Sequence, residues 1–236
     1  AIPIAWTCVK HVRGHSTGRK QLALLAYLRS LIPPEAPVFL VGDCEFGSVL
    51  VLQQLDRWSW FFVLRQKSDT CLWFSEEQGW QTFGSYIHKP GQSFWLGTGY
   101  LARNHIYRVN LLVHWKLGEK EPWCLATNFL DKTTSLRFYA FRPWIEEMFG
   151  DFKKHGFDLE KTRLFHFQRL SRLTLAVAFL YVWLVSVGTK TIHSGDRHIV
   201  DRKDRRDLCI FQIGLRFIER CLTNALEYNI PLCLYR

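Results

Sequence analysis

Residues 38–65 read V-F-L-V-G-D-C-E-F-G-S-V-L-V-L-Q-Q-L-D-R-W-S-W-F-F-V-L-R. The run at 38–41 is wholly apolar, as expected of a strand that is buried on both faces. Residues 48–55 then have the apolar spacing of a helix, and residues 60–64 form a second apolar run that ends at Arg65. This strand–helix–strand pattern predicts an α/β layer.

The segment before this stretch extends the alternation. Residues 2–9 are apolar and rich in branched side chains, so we predict a strand there. Residues 16–31 have a polar start followed by helical apolar spacing, which predicts a helix that the following prolines terminate. Strand–helix–strand–helix–strand within the first 65 residues is typical of an α/β fold.

The pattern of apolar residues and turns in the sequence changes after residue 70. Short aromatic and β-branched runs alternate with glycine-containing turns as far as Asn128, which predicts a mostly antiparallel β insertion. The predicted strands cover residues 71–74, 93–96, 106–115 and 123–127. Helices are predicted from Pro143, at 170–187 and at 208–228.

We therefore expect three parts. Residues 1–70 form the N-terminal part of the core, 71–138 form the β-rich insertion, and 139–236 form the C-terminal helices that complete the core. Residues 190–206, between the last two predicted helices, are rich in charge and histidine, and we predict a mobile loop. Its basic residues either contact DNA or are solvated.

The composition indicates a folded, basic protein. Hydrophobic residues make up 48% of the 236-residue chain, which excludes global disorder. The net charge of +10 favours a polyanionic partner, for which nucleic acid is the usual choice, although some basic proteins bind nothing acidic. The ten tryptophans could stack on exposed bases, or they could belong to the core.

The cysteines and the apolar segments indicate a cytoplasmic protein. The seven cysteines form no C-x-x-C pair, so a zinc knuckle or a disulfide framework is not expected and the thiols are predicted to be reduced. No signal segment follows Ala1. The apolar run at 173–187 is shorter than the roughly 20 residues needed to span a bilayer, so we expect a core helix and no membrane partner.

Residues 139–153 carry the best indication of function, Y-A-F-R-P-W-I-E-E-M-F-G-D-F-K. Glu146 lies four residues after Arg142 and seven before Lys153, so on a helix the three side chains share one face. A buried helix rarely places two cations and a carboxylate on one stripe. A site that binds a metal ion and a phosphate backbone needs this arrangement.

Two carboxylates are candidate metal ligands. Asp43 directly follows a predicted strand, where ligands collect in open α/β sheets, although a simple turn aspartate is the alternative. Glu146 is either a ligand or a solvated glutamate in a first helical turn. Together they could hold Mg²⁺ or Mn²⁺ through hard oxygen ligands. Tyr139, Arg142 and Lys153 would then hold phosphates by hydrogen bonds.

The spacing Y-x2-R-x3-E-x6-K resembles the YREK signature of bacterial insertion-sequence transposases with a DDE catalytic domain. V-G-D-C-E-F-G-S at 41–48 resembles the segment of their second catalytic aspartate, and F-D-L-E-K-T-R at 157–163 resembles the sequel to the YREK helix. The resemblance covers essentially the whole chain. It implies an RNase H-like catalytic core interrupted by a β-rich insertion.

The resemblance also implies roles for individual residues. Asp43 and Glu146 would be the second and third metal-binding acids. The implied contacts to transposon-end DNA are Tyr139, Arg142, Lys153, Arg65 and Trp123. Arg65 would lie near the cleaved strand, and Trp123, in W-C-L-A-T, resembles a tryptophan that receives a flipped base, with core packing as the alternative.

One departure from the family is important. The family needs three acids, of which the first lies on the first sheet strand, but no aspartate precedes Asp43 here. Glu35 is the only acid among the first 42 residues, and it lies among prolines, so it is a poor substitute. Since the chain opens without methionine, we expect it to begin after the family's first strand and to lack an N-terminal DNA-recognition domain.

The expected function is therefore that of the C-terminal portion of a cut-and-paste DNA transposase, inactive or impaired on its own. The intact enzyme would use metal-activated water, then a 3′-hydroxyl, on double-stranded transposon ends and target DNA. A homodimer on paired ends and a bacterial, nucleoid-associated cytoplasmic location would follow. The alternatives are a non-catalytic DNA-binding remnant that occupies transposon ends, or a metal-dependent nuclease that uses Glu45 as a further acid.

Overall fold

A computed structural model describes the chain in five stretches, residues 1–8, 16–102, 106–153, 156–204 and 206–227. The chain divides into two compact units. The sheet unit is Val9–Trp144, and the helical unit combines Ala1–Cys8 with Ile145–Arg236.

The sheet unit contains one seven-stranded mixed sheet. The strands are β1 (Phe39–Gly42), β2 (Phe61–Gln66), β3 (Cys71–Trp73), β4 (Trp80–Thr82), β5 (Ser93–Leu101), β6 (Tyr107–His114) and β7 (Trp123–Thr127). Their spatial order is β1-β2-β7-β6-β5-β3-β4. β1 and β2 are parallel, and the other pairs are antiparallel, so the predicted α/β class is confirmed.

The described part of the sheet unit also contains the α-helices α1 (Gly18–Leu31), α2 (Val49–Arg57) and α3 (Lys132–Tyr139) and a 3₁₀ helix at Phe83–Tyr86. α2 is the crossover between the two parallel strands, as parallel pairing requires. It buries Val51, Leu52 and Leu55 in the same core cluster as Phe62 and Leu64 of β2. The predictions for α1, α2 and β2 are confirmed to within a few residues because each has a clear apolar period.

The first strand predictions need correction. Residues 2–8 form no strand, and residue 9 lies outside the described residues. β1 was expected to be buried on both faces, but it lies at the end of the strand order and Phe39 is 39% exposed. A terminal strand has a hydrogen-bonded neighbour on only one side, so an apolar run alone does not guarantee burial. Arg65 lies within β2 rather than after it.

The β-rich segment is antiparallel, as predicted, and it continues the same sheet. β7 pairs with β2 in the register Val63↔Thr127, which joins the later strands to the α/β layer. The short strand β4 and the helix α3 were not predicted. With three and eight residues respectively, they are too short to show a clear period.

The helical unit packs the later turns of α4 (Arg142–Phe152) with α5 (Phe167–His193) and α6 (Ile210–Thr223). α5 is longer than the predicted 170–187, and it includes the first residues of the segment that was predicted as a loop. That segment then forms a short 3₁₀ helix at Asp196–Ile199, while its residue 205 lies outside the described residues. α6 is shorter than the predicted 208–228, of which residue 228 is also outside.

α5 is a core helix on one side only. Its buried residues include Val177, Tyr181 and Leu184, whereas Phe179 is 67% exposed. Its length of 27 residues and its apolar composition would allow it to cross a membrane, and 33% of its most apolar window is buried. Length and apolar composition alone do not identify a membrane-spanning helix, because the core helix of a soluble protein can have the same length and composition.

Candidate functional site

Asp43 is the first residue after β1 and begins a tight turn. Its Oδ1 accepts a hydrogen bond from the Glu45 N–H at 3.0 Å, and its carbonyl accepts one from the Phe46 N–H at 3.1 Å. This geometry is that of an aspartate-initiated turn, so Asp43 is a turn aspartate. Its role as a metal ligand stays a prediction. The turn uses Oδ1 of the carboxylate, and a ligand could use Oδ2.

Gly47 lets this turn lie against the end of β2. A Cβ at Gly47 would meet Gln66 Nε2 at 2.6 Å and the Arg65 carbonyl oxygen at 2.7 Å. Any other residue would force the turn away from the strand, since real side chains do not approach so closely. The glycine therefore places the segment that begins at Asp43 beside Arg65.

Arg65 is half-buried on β2 and already has partners. Its Nη2 lies 3.1 Å from Glu121 Oε2 and donates to the Pro122 carbonyl at 3.2 Å. The Glu121 side chain is 76% exposed, so this ion pair is solvated and easily exchanged for another anion. Arg65 is therefore oriented by the fold and can still bind a phosphate.

Tyr139 is the centre of the site. It is the last residue of α3 and is 1% exposed, yet its hydroxyl has no hydrogen-bond partner among the described residues. Burial raises the pKa of Tyr139 to about 12, and the charges of Arg142 and Arg65 oppose that rise, while Asp43 adds to it. The structure thus brings Asp43, Arg65 and Arg142 within electrostatic range of one unpaired phenol.

Trp123, the first residue of β7, packs on the same phenol. Its ring meets that of Tyr139 edge to face at a centroid distance of 4.9 Å and lies 5.5 Å from the ring of His114. It is half-buried against the core cluster that contains Tyr139. These contacts support the core-packing alternative, and binding of a flipped base stays a prediction.

A cavity of about 530 Å³ adjoins these residues. Its lining includes Cys44, Arg65, Gln66, Lys67 and Cys124. Burial raises the pKa of Cys44 and raises that of Cys124 to about 11, so both thiols are neutral at pH 7. The buried Gln66 Nε2 has no hydrogen-bond partner among the described residues. The cavity therefore offers an amide donor beside two cations, and the carboxylates Asp69 and Glu121 also line it.

The remaining motif residues lie along α4. Arg142 is its first residue and half-buried, and Glu146 is exposed one turn later. Lys153 follows the last helical residue, but its N–H still bonds the Phe149 carbonyl at 3.1 Å, so it continues the final turn. Lys153 Nζ pairs with Glu160 Oε1 at 3.1 Å, and both side chains are more than half exposed. Glu146 and Lys153 belong to the helical unit, and the other five predicted residues belong to the sheet unit.

The described residues show no complete set of metal ligands. Nowhere among them do three or more histidine, cysteine, aspartate or glutamate side chains come together in a way that could hold one metal ion. The Glu45 carboxylate accepts hydrogen bonds from the backbone N–H and the hydroxyl of Ser16, so it is committed to the start of α1. The described residues therefore offer an incomplete donor set for a bound metal ion.

Sequence reasoning missed a buried carboxylate on α4. Asp151 is 2% exposed, accepts from the Tyr181 hydroxyl at 3.5 Å, and lies 3.7 Å from Cys209 Sγ. These contacts connect α4 to α5 and to the N-cap of α6. In sequence Asp151 resembles a solvated acid beside Lys153. Only the packing of three helices shows that it anchors the helix that carries Glu146.

Comparisons with known proteins add no family to this geometry. No protein-family model matches the chain, and no curated protein sequence matches it. The functional interpretation therefore rests on the Y-x2-R-x3-E-x6-K spacing and on the side chains gathered around Tyr139.

Proposed function

We propose that the chain carries catalytic-domain sequence of a DDE transposase with an RNase H-like core, and that it binds DNA but is inactive or severely impaired in cleavage. One observation carries the proposal. The buried Tyr139 hydroxyl has no hydrogen-bond partner among the described residues, and Asp43, Arg65 and Arg142 all act on it electrostatically. A hydrogen-bond donor that feels the charges of two guanidinium groups is suited to a phosphate of a DNA backbone.

The residues have distinct proposed roles. Tyr139, Arg142, Lys153 and Arg65 contact backbone phosphates, and Trp123 contacts a base. Asp43 and Glu146 are the proposed acids for Mg²⁺ or Mn²⁺, on the strength of the motif alone. The family needs a third acid, and the described residues supply no cluster that contains one. The impairment follows from this deficit.

The partners follow from the same proposal. Double-stranded transposon ends and target DNA are the substrates, and a homodimer on paired ends is the working assembly. A bacterial cytoplasm with access to the nucleoid is the corresponding location. The net charge of +10 agrees with such a polyanionic partner.

A non-catalytic DNA-binding remnant is the second candidate function. It is supported by the Glu45 carboxylate, which is bound to Ser16 instead of supplying a further acid beside Asp43. The same observation speaks against the metal-dependent nuclease, which would need Glu45. The remnant would occupy transposon ends without breaking a phosphodiester.

The first experiment tests binding through Tyr139. Affinity of residues 1–236 for a duplex of the element's end would be measured by fluorescence anisotropy in EDTA. Tyr139→Phe should weaken binding by a factor of about 10 to 100, since one charge-assisted hydrogen bond contributes roughly 1.5–3 kcal/mol. Tyr27→Phe, which removes an exposed phenol from α1, is the matched control and should leave the affinity unchanged. Equal affinity of Tyr139→Phe and the wild type would remove the main support for the site.

The second experiment separates the two candidates. Nicking of a supercoiled plasmid that carries the element's ends would be followed in Mg²⁺ and in Mn²⁺. We expect only residual nicking, which Asp43→Asn and Glu146→Gln abolish and which the neighbouring Glu147→Gln retains. Residual activity that is indifferent to Glu146→Gln favours the remnant. Robust cleavage by the wild-type chain contradicts the proposed impairment.

A further inference from the structure

We propose that the helical unit carries a second phosphate-binding surface, separate from the YREK residues, that binds the backbone of a nucleic-acid strand. We name it the basic concavity, a cavity of about 440 Å³ after the C-terminal end of α5. Its lining supplies the charged residues Arg197, Asp201, Arg202, Lys203 and Arg206. That these phosphates belong to DNA rests on the proposed function, whereas phosphate recognition itself does not.

The concavity is built on a fixed platform. Gly195, with φ of 80°, turns the chain after α5, and its N–H bonds the Ile192 carbonyl at 3.1 Å. Val200, just after the 3₁₀ helix, packs on the cluster that contains Phe217. The Arg220 Nη1 on α6 donates to the Ile199 carbonyl at 3.3 Å. The following cations therefore start from a segment that α5 and α6 hold in place.

The single carboxylate that lines the concavity is already neutralised. Asp201 Oδ2 accepts from Arg197 Nε at 2.7 Å and lies 2.6 Å from its Nη2, and the Asp201 side chain is 2% exposed. This buried, two-point ion pair fixes Arg197 and consumes the negative charge. Arg202, Lys203 and Arg206 are exposed, so their charges face solvent at the rim.

The charge and the openness of this surface favour a polymer over a small anion. Exposed cations bind one anion weakly, because water and salt screen each contact. A strand brings several phosphates together and releases condensed counterions as each is neutralised, so the contacts add. The acids Asp204 and Asp207 occur in the same stretch but do not line the concavity.

The test is the salt dependence of binding by the full chain. Dissociation constants for a fluorescent duplex of unrelated sequence would be measured in EDTA between 50 and 300 mM salt. In the variant Arg202→Gln/Lys203→Gln/Arg206→Gln the slope of log affinity against log salt should fall by about 2 to 3, at roughly 0.9 per lost phosphate contact. The variant's circular dichroism and urea unfolding should match those of the wild type.

A matched control removes the same charges elsewhere. Arg19→Gln/Lys20→Gln/Arg57→Gln replaces two arginines and one lysine that are exposed on α1 and α2. Its slope should change by less than 1. Equal losses in both variants would mean that only net charge matters, which overturns the proposal. Arg202→Lys/Arg206→Lys keeps the charge and should keep most of the slope.

Two further measurements distinguish binding at this surface from a small-anion site and from binding at the YREK residues. Inorganic pyrophosphate, added at constant ionic strength, should not displace the duplex from the concavity; specific displacement would show a small-anion site and overturn the strand proposal. When the triple substitution is added to Tyr139→Phe, the slope of log affinity against log salt should fall by as much as it does in the wild-type background. If the triple variant loses slope while Tyr139→Phe binds the end duplex as tightly as the wild type, the concavity stands and the proposed function loses its main support. A wild-type chain that does not bind DNA overturns the concavity.

Discussion

Tyr139 shows at the scale of one residue what an unpaired polar group costs a fold. A buried hydroxyl without a partner costs about 1–3 kcal/mol relative to one that is hydrogen-bonded. The fold nevertheless places it near Arg65 and Arg142, where a phosphate oxygen would satisfy it. Because buried polar groups are almost always hydrogen-bonded, this unpaired hydroxyl calls for an explanation, and the proposed phosphate contact supplies one.

The pKa of Tyr139 predicts how its substitution changes alkaline stability. The folded state raises this pKa from 10 to about 12, mainly by burial, so the folded protein keeps the phenol neutral where the unfolded chain ionises it. The stabilisation is complete below pH 10 and is lost as the pH rises towards 12, at about 1.4 kcal/mol per pH unit. The free energy of unfolding from urea denaturation, measured between pH 8 and 12, should therefore decline less steeply in Tyr139→Phe.

The exposed Tyr27 provides the control for this comparison. Tyr27→Phe should reproduce the wild-type alkaline decline, because it removes an exposed phenol and leaves the buried Tyr139 in place. Superimposable alkaline curves for Tyr139→Phe and the wild type would show that the phenol is solvated. At pH 7 Tyr139→Phe should be as stable as the wild type or more stable by about 1 kcal/mol, since the unpaired hydroxyl is gone.

At the scale of elements, the helical unit depends on a close crossing of α5 and α6. A Cβ at Gly188 would lie 2.0 Å from the Ile210 carbonyl oxygen, and a Cβ at Gly214 would lie 2.0 Å from the Leu184 carbonyl oxygen. Both would be impossible contacts with backbone atoms. The two glycines therefore let the helices approach backbone to backbone, and no flexible side chain could move to make room.

Gly214→Ala should reverse the usual effect of alanine in a helix. Helix propensity alone favours alanine over glycine by roughly 1 kcal/mol. Here the added methyl must separate α5 from α6, so we expect a loss of about 1–3 kcal/mol or more. Urea denaturation followed by far-UV circular dichroism measures the difference.

The control for Gly214→Ala is Ala176→Gly on the exposed face of α5, which should cost no more than about 1 kcal/mol through propensity. Gly188→Ala should behave like Gly214→Ala because it meets the same crossing from the other helix. A Gly214→Ala protein with unchanged or higher stability would contradict the close approach of the two backbones.

At the scale of the whole molecule, the net charge of +10 predicts strongly salt-dependent binding to nucleic acid. If four phosphates are neutralised, affinity for duplex DNA should fall about 100-fold between 50 and 200 mM salt. Fluorescence anisotropy titrations at four salt concentrations measure this slope. A duplex whose contacted linkages are uncharged methylphosphonates should bind weakly, with little salt dependence.

Binding whose strength is independent of salt would contradict this expectation. It would show that the basic residues are a solvated surface and that contacts to bases or to apolar groups dominate. The charge alone could not distinguish these cases, because it is a property of composition and not of arrangement.

Several parts of the fold could be predicted because their signals are local. The apolar periods of α1 and α2 and the apolar run of β2 depend on residues close together in the chain, so the α/β class and the antiparallel texture after residue 70 followed from the sequence. The motif residues were proposed from their spacing, and Asp43 from its position directly after a predicted strand. The functional roles of these residues remain predictions.

Other parts were decided by neighbours that are distant in sequence. The exposure of Phe39 depends on the edge position of β1. Residues 2–8 form no strand, and none of the described strands pairs with them. The helix α5 continues past residue 187 because α6 packs along it. The missing partner of the Tyr139 hydroxyl and the burial of Asp151 have no signature in the sequence. The charge of residues 190–206 is visible there, but the ion pair between Arg197 and Asp201 is not. Spacing determines which side chains a helix or strand can present on one face. Burial and charge pairing depend on what packs against that face, so only the tertiary structure decides them.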